Sequence, residues 1–549
     1  MISFLRALPR PATLAALAAT FAAAPLPAAP AAPARPNLLV IQTDEHNFRT
    51  LGAYRALLPP DQAFPWGPGI AVETPHLDWL ARHGAIADRT YATSPVCTPS
   101  RASFVSGRYP QNTGAIQNDL PLRDDIVTFA EELRRAGYAT GYAGKWHLDG
   151  DGKPQFGPER NFGFTDNRYM FNRGHWKNLA EDARGPRVGT TDARGNPNYN
   201  VGDADAKSFT TDFLTDRALA FIRAHRDRPF CYMLSIPDPH GPNTVRAPYD
   251  TMYLGLKFQP PRSARSPGSA LPGYAATLAG AFNQVQMARY FGMVKCIDDN
   301  VGRLLARLRE LGLLERTVIV FTSDHGDLCG EHGRDNKGVP MEGSARIPLL
   351  VYAPGIVPAG TVVREALGTV DFKPTVLSLL GVPAAAGGPV EGRDASALFR
   401  TGRAPADWDE VTFVRIGGGA RRAAAAEDGE GGGAGWLGAF TRRHKFIVAP
   451  NAAPALFDLE QDPDELTNLL ASPAHRPIVR TLAGRLADYA RRHGDPHLQS
   501  PRVQADLAWA VSDSPTYTPA AADTAKSGAN ADRRANRKGK AKKQVSAAP

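Results

Sequence analysis

Four short apolar runs in this chain each finish in charged or metal-binding side chains, and this pattern constrains the fold more than any other feature. "NLLVIQTDE" (37–45) ends at Asp44 and Glu45, and the run near Tyr142 ends at Lys145 and His147. The run through Met233 ends at Asp238 and His240, and the run through Val320 ends at Asp324 and His325. Helical patterns alternate with these runs. "TPHLDWLARHG" carries Thr74 as N-cap, Pro75 at the first helical position and Gly84 at the end. "TFAEELRRAG" closes at Gly137. From Gln284 to Leu311, Ile297, Val301, Leu304, Leu305 and Leu308 fall on one face, and Gly312 ends the helix. Strands alternating with helices predict an α/β fold with a large, mostly parallel sheet flanked by helices. In such a sheet the ligand crevice lies outside the carboxyl ends of the strands. The polar run ends are therefore expected to face one crevice.

The chain has 549 residues, too many for one compact core, so at least two domains are expected. Past residue 380 the texture changes. "GGGARRAAAAEDGEGGGAGW" (417–436) is low in complexity and reads as a mobile loop. "RRHKFIVAP" and "PALFDLEQDPDE" read as strands, and "HRPIVRTLAGRLADYARRHG" as a last helix ending at Gly494. The expected division is a leader over 1–34, a large domain over 35–380, a smaller C-terminal α+β domain over 381–500, and a disordered basic tail over 501–549. Arg6 and Arg10 precede a short Ala/Leu stretch from Thr13 to Ala24, followed by small residues. That order reads as a signal peptide, against the blander reading of an Ala/Pro leader, and the stretch is too short for a comfortable membrane span. A periplasmic or secreted protein is expected, with no membrane span once the signal is removed.

Six of the nine net positive charges lie from Ser514 onward, in an Ala/Lys/Arg-rich segment without aromatics after Tyr517. The excess charge therefore says little about the folded part, and no specific nucleic-acid partner is expected. The four cysteines, Cys97, Cys231, Cys296 and Cys329, are too few and too dispersed for a disulfide framework. Cys231 and Cys296 sit in apolar patterns and read as buried small hydrophobes. Cys97 sits among turn-forming residues, from where a loop could bring it to the crevice.

Each polar end has a plain structural reading: Asp44-Glu45 as a helix cap, Lys145 and His147 as surface residues, His240 as a loop histidine, Asp324-His325 as part of a turn. Together they select for chemistry. Asp44, Glu45 and Asp324 supply oxygens suited to a hard divalent cation, Ca²⁺ or Mg²⁺. Arg101, Lys145 and Lys337 supply positive charge for an oxyanion. His147 and His240 can move protons near neutral pH. A metal, cations and histidines around one turn nucleophile describe hydrolysis of an anionic ester.

Cys97-Thr98-Pro99-Ser100-Arg101 matches a C-x-P-x-R signature. With "GYAGKWHL", "SDHGD", "YFGMVKCIDDNVGRLL" and "LFDLEQDPDELTNL", the chain from about Pro36 to Leu470 resembles the formylglycine-dependent sulfatases of the alkaline phosphatase-like superfamily. The resemblance implies that 35–380 is the catalytic domain. It implies that a formylglycine-generating enzyme oxidises Cys97 during export to an aldehyde, which is hydrated to a diol. One hydroxyl then attacks sulfur and the alcohol leaves. The other hydroxyl loses its proton and sulfate is expelled, so one hard step becomes two easier ones. It further implies that Asp44, Asp324 and His325 bind the cation, with position 97 contributing an oxygen, and that Arg101 anchors the formylglycine. Lys145, His147, His240 and Lys337 would surround the sulfate. His240 is the expected donor to the leaving alcohol, with His147 the alternative partner for the diol.

Glu45 stands where many relatives carry a second aspartate. It is expected as a further metal ligand, direct or through water. The substrate class implied is a sulfate ester, with sulfated carbohydrates the expected kind. Two inserts, 160–200 and 246–274, are candidate pocket walls. The competing readings are a phosphonate or phosphate ester hydrolase on the same fold, and a degenerate protein that only binds sulfated ligands.

Overall fold

The apolar runs become strands, and their polar ends mark where each strand leaves the core. The computed structural model describes residues 35–265, 282–383, 389–417 and 435–518. The leader, most of the glycine-rich stretch after 417, the end of the second insert from 266 and the basic tail from 519 lie outside the described residues. The main sheet holds β1 (Asn37–Asp44), β2 (Ala85–Ala87), β3 (Ala139–Lys145), β4 (Asp166–Phe171), β5 (Phe230–Pro239), β6 (Thr317–Ser323), β7 (Leu349–Tyr352) and β8 (Thr361–Val363). Their order is β8-β2-β7-β6-β1-β5-β3-β4. β1 lies in the centre, parallel to β5 on one side and β6 on the other. β3 is parallel to β5 and β4, while β7 runs antiparallel to its neighbours β2 and β6. The expected mostly parallel sheet is therefore present, with one reversed strand.

The helices used below are α1 (Pro75–His83), α2 (Cys97–Ser106), α3 (Phe129–Arg135), α4 (Thr210–Ala224), α5 (Gln284–Glu310), α6 (Phe372–Leu379), α7 (Arg476–Arg492) and α8 (Pro501–Val511). They explain why the strands read as continuous apolar runs. Leu38 and Val40 of β1 point to one face, where Met233, Val320 and residues of α3 and α6 close over them. Leu39 and Ile41 point to the other face, beneath α1, α4 and α5. A strand covered on both faces has no polar side to show. Thr74 stands at the N-cap of α1, but its hydroxyl accepts from the Gly52 N–H at 2.9 Å. The α1 N–H groups of His76 and Leu77 donate instead to Asp298 of α5, at 3.0 and 2.9 Å. The cap comes from a residue more than two hundred positions away.

A second, antiparallel sheet follows in the order β9 (Thr412–Ile416), β10 (Trp436–Phe440), β11 (His444–Ala449), β12 (Ala452–Asp458). One face packs on α7 and α8, and the other on Tyr91, Val96, Leu328 and Met341 of the larger part. The ammonium of Lys445 on β11, wholly buried, forms an ion pair with Glu342 at 2.7 Å and donates to Glu465 at 2.9 Å. The described residues from Arg35 onward accordingly form one compact unit. The division expected near 380 is a change of sheet inside that unit.

The helix ending before Gly494 is not the last one. Ser500 accepts from the Val503 N–H at 3.2 Å, Pro501 takes the first turn, and Val503, Leu507 and Ala510 bury one face of α8 against α7. The tail expected from 501 thus begins with an ordered helix, and the described chain runs to 518. Among the described residues no helix is long and apolar enough to cross a membrane.

Gly144 governs the end of β3. Its φ is +109°, and a Cβ there would lie 1.7 Å from the carbonyl oxygen of Ser235 on β5. Both the backbone conformation and the close approach require glycine. Gly144→Ala is expected to destabilise the fold by about 3 kcal/mol or more, read as a shift in the chemical denaturation midpoint, because the strand that delivers Lys145 must move.

Candidate active site

Cys97 lies at the first position of α2, not in a loop. Pro99 is tolerated there because the first-turn N–H groups have no partner inside the helix. Gly107, at φ +68°, closes the helix. The helical setting gives the spacing its meaning, since residues four apart lie on one face. Arg101 therefore sits one turn below Cys97, and both are buried.

Arg101 is the hub. Its Nε donates to Asp324 Oδ2 at 2.8 Å and one terminal nitrogen to Asp44 Oδ2 at 3.1 Å. The other terminal nitrogen donates to the Lys145 carbonyl and to Ser235 Oγ, both at 2.8 Å. Asp44 ends β1, Lys145 ends β3, and Asp324 follows β6, so one guanidinium ties together the ends of three strands and α2. The Lys145 ammonium donates to Asp44 Oδ2 at 2.6 Å and stands 3.4 Å from Cys97 Sγ. Burial would raise the pKa of Asp44, but Lys145 and Arg101 outweigh it and hold the carboxyl well below its usual range. Burial would lower the Lys145 pKa, but Asp44 and Cys97 outweigh it and keep the side chain an ammonium.

Four donor atoms converge: Asp44, Cys97, Asp324 and His325 offer one each within 4.8 Å of one another. His325 Nδ1 donates to the Gly326 carbonyl at 3.0 Å, which turns the Nε2 lone pair toward Cys97 Sγ at 3.3 Å and toward both carboxylates. Two buried carboxylates and an imidazole fixed through its far nitrogen suit a divalent cation. The Sγ marks where an oxygen of a modified position 97 would complete the set. Burial and the Asp44 charge raise the Cys97 pKa, so the unmodified thiol is a poor source of thiolate at neutral pH.

Glu45 departs from expectation. It is not among the four converging donors. Its backbone has φ +62°, and its carboxylate lies 3.4 Å from the Lys337 ammonium and 3.0 Å from His240 Nε2. The extra methylene, leaving a left-handed backbone, carries the charge past the cluster to the cation beyond it. Lys337 Nζ is also 2.7 Å from His240 Nε2. His240 Nδ1 donates to the Gly241 carbonyl at 2.9 Å, so Nε2 is the acceptor. Burial and Lys337 push the His240 pKa well below its usual value. His147, at φ +60°, meets Asp119 through Nε2 at 2.8 Å, and its buried Nδ1 has no hydrogen-bond partner among the described residues.

A cleft of about 290 Å³ opens above Cys97, walled by His147, His240, His175, Arg173, Lys153 and Tyr199 among others. The first insert supplies Arg173, His175 and Tyr199 to this wall; the second does not contribute in its described part, where Tyr249, Tyr253 and Phe258 pack into the core instead. Asp238, read as a crevice residue, turns away. It binds the buried Lys177 at 2.5 Å, and Lys177 also donates to the His240 carbonyl at 2.8 Å, fixing that turn.

Sequence reasoning missed His175. Its ring stacks on His240 with centroids 3.5 Å apart and 6° between planes, and its Nε2 accepts from Lys145 at 2.7 Å. The only sequence signal was its place within the insert named as a wall. Asp119 and Arg173, paired at 3.0 Å, were missed as well.

A family model described as Sulfatase matches residues 36–382. The chain is 28% identical to an ulvan-active sulfatase of Formosa agariphila, covering 84% of this chain and 82% of the relative. It is likewise 28% identical to a choline-sulfatase of Rhizobium meliloti, over 84% and 87% of the two chains. The solved phosphonate monoester hydrolase of Silicibacter pomeroyi superposes with a TM-score of 0.60 at 27% identity, covering 85% of this chain and 96% of that one.

Two carboxylates facing one guanidinium should gain from a bound cation. Adding Ca²⁺ or Mg²⁺ to chelator-treated protein is expected to raise the melting temperature by binding the native state alone. Asp324→Asn should weaken that response more than about tenfold in affinity, whereas Glu45→Gln should weaken it far less. A metal titration followed by calorimetry checks both.

Proposed function

The chain belongs to the sulfatase family and is a sulfuric ester hydrolase; from that premise we propose that it cleaves sulfate esters of carbohydrates, using a formylglycine made from Cys97 beside a Ca²⁺ or Mg²⁺ ion. The observation that carries this reading is the position of Cys97 at the floor of the cleft, where Asp44, Lys145 and His325 all reach it. Modified and hydrated, position 97 would supply a diol nucleophile able to release sulfate without a separate hydrolysis of the enzyme ester, while the cation at Asp44, Asp324 and His325 would draw charge from the reacting oxygens.

The chain's own residues do the rest. Arg101 holds Asp44 and Asp324 at fixed separation and supports α2 under the nucleophile. Lys145 places an ammonium 3.4 Å from Cys97 Sγ and Lys337 places one beside His240, where sulfate oxygens would gain charge as the ester bond breaks. His240 Nδ1 is held by the Gly241 carbonyl, so Nε2, beside the Lys337 ammonium, is the ring atom that takes a proton from Lys337 and hands it on to the leaving alcohol. His147, with its Nδ1 unpaired, is placed to take a proton from the diol. Because Cys97 and Arg101 are buried in a finished helix, the modifying enzyme must read Cys97–Arg101 before the chain folds.

The carbohydrate reading rests on the cleft and on the Formosa relative. A quaternary ammonium such as choline favours aromatic faces and negative charge. This cleft presents Lys153 and Arg173, and its one acidic group among the described residues, Asp119, already faces Arg173 and His147. Phosphonate or phosphate ester hydrolysis is the second reading, favoured by the Silicibacter likeness. Export to the periplasm or beyond is part of the proposal, resting on the order of residues 1–34.

Mass spectrometry of the Cys97 peptide, on protein from its natural export route, should show the aldehyde or its hydrate. An intact thiol on active protein would sink the mechanism. Cys97→Ala should lower kcat by more than about a thousandfold. Aryl sulfate should be hydrolysed faster than the matching phenylphosphonate, and the reverse order would favour the second reading.

A further inference from the structure

The wall of the cleft opposite the nucleophile carries a cation that the hydrolysis does not use. Lys153 is exposed, and no acidic group pairs with it among the described residues. The other basic residues of the site are committed: Arg101 and Lys145 to Asp44, Lys337 to Glu45, Arg173 to Asp119. The Lys153 ammonium instead sits over the ring of Tyr199, 4.7 Å from its centroid, and 5.8 Å from that of Trp176. Trp176 is buried and packs on Tyr199 at 4.8 Å, so the platform is rigid. A lysine held this way loses less freedom on meeting an anion than one waving in solvent.

The platform is continuous with the reaction site. His240 stacks on His175 at 3.5 Å, and His175 meets Tyr199 at 6.0 Å. A sugar whose sulfate lies between Lys145 and Lys337 would extend its ring past His175 toward the half-buried Tyr199 and the Lys153 ammonium that covers it. Any negative group farther along meets Lys153.

We propose that Lys153, mounted on Tyr199 and Trp176, forms a subsite for a second anionic group of the substrate, a carboxylate or a further sulfate beyond the sulfate that is cleaved. This rests on the carbohydrate-sulfatase reading above and narrows it to polyanionic saccharides. The interaction is with an exposed charge, so it weakens as salt is added.

The test uses full-length protein shown to carry the aldehyde at position 97 and three disaccharides sharing one scissile sulfate. The first has no other charge, the second bears a carboxylate on the neighbouring ring, and the third bears a second sulfate there. The charged substrates should exceed the neutral one in kcat/KM by about tenfold, mainly through KM, with the larger ratio identifying the source of the anion. Lys153→Ala should reduce that ratio to about twofold or less, Lys153→Glu should reverse it, and Lys153→Arg should keep it. Added salt should shrink the ratio in the natural protein and leave it flat in Lys153→Ala. Turnover of all three with the same ratio in the natural protein and in Lys153→Ala would overturn the subsite alone. Turnover of none of them, with aryl sulfate still hydrolysed, would overturn the carbohydrate reading and the subsite with it.

Discussion

The guanidinium of Arg101 is the contact on which the site depends. It is almost wholly buried and answers two fully buried carboxylates, Asp44 and Asp324, that belong to adjacent strands and would otherwise repel. Removing one partner from a buried charge group leaves the others uncompensated, at a cost of about 3–5 kcal/mol. A guanidinium rather than an ammonium is needed because its planar fork reaches both carboxylates while still donating to the Lys145 carbonyl and Ser235. The same side chain thus fixes the two carboxylates and the helix bearing Cys97.

That hub works because the sheet delivers its partners to one edge. β1, β3, β5 and β6 are parallel or nearly adjacent in the sheet, so their carboxyl ends emerge side by side. The charges they carry are numerous, and the balance is local: Asp44 is held ionised by Lys145 and Arg101, and Glu45 lies against Lys337. The histidines are treated differently. Burial and nearby ammonium groups keep His175 and His240 neutral, so their Nε2 atoms accept from Lys145 and Lys337. The arrangement separates permanent charges from neutral rings that accept hydrogen bonds.

The second sheet contributes through burial rather than chemistry. Its inner face packs behind Tyr91 and Val96, directly before the turn into α2. Lys445 brings a buried cation into that interface, paired with Glu342 and Glu465, while Arg415 on the opposite face pairs with Asp495. The C-terminal part therefore stiffens the backbone that presents Cys97 from behind.

The strands, their parallel arrangement and the polar ends of β1, β3 and β6 were legible in the sequence, because apolar runs and their charged ends are local signals. So was the pairing of Cys97 with Arg101, which a spacing of four residues puts on one face once the segment is helical. The tertiary structure decided what local patterns cannot encode. It set Cys97 in a helix, because Pro99 falls where a helix needs no N–H. It sent the Glu45 carboxylate to Lys337, because a left-handed backbone and one extra methylene aim it past the other donors. It brought His175 onto His240, since that insert takes its shape from packing on Trp176 and Tyr199, and it turned Asp238 inward to Lys177. In each case the choice was made by a partner far away in the chain, and contacts of that kind have no signature in the neighbouring residues.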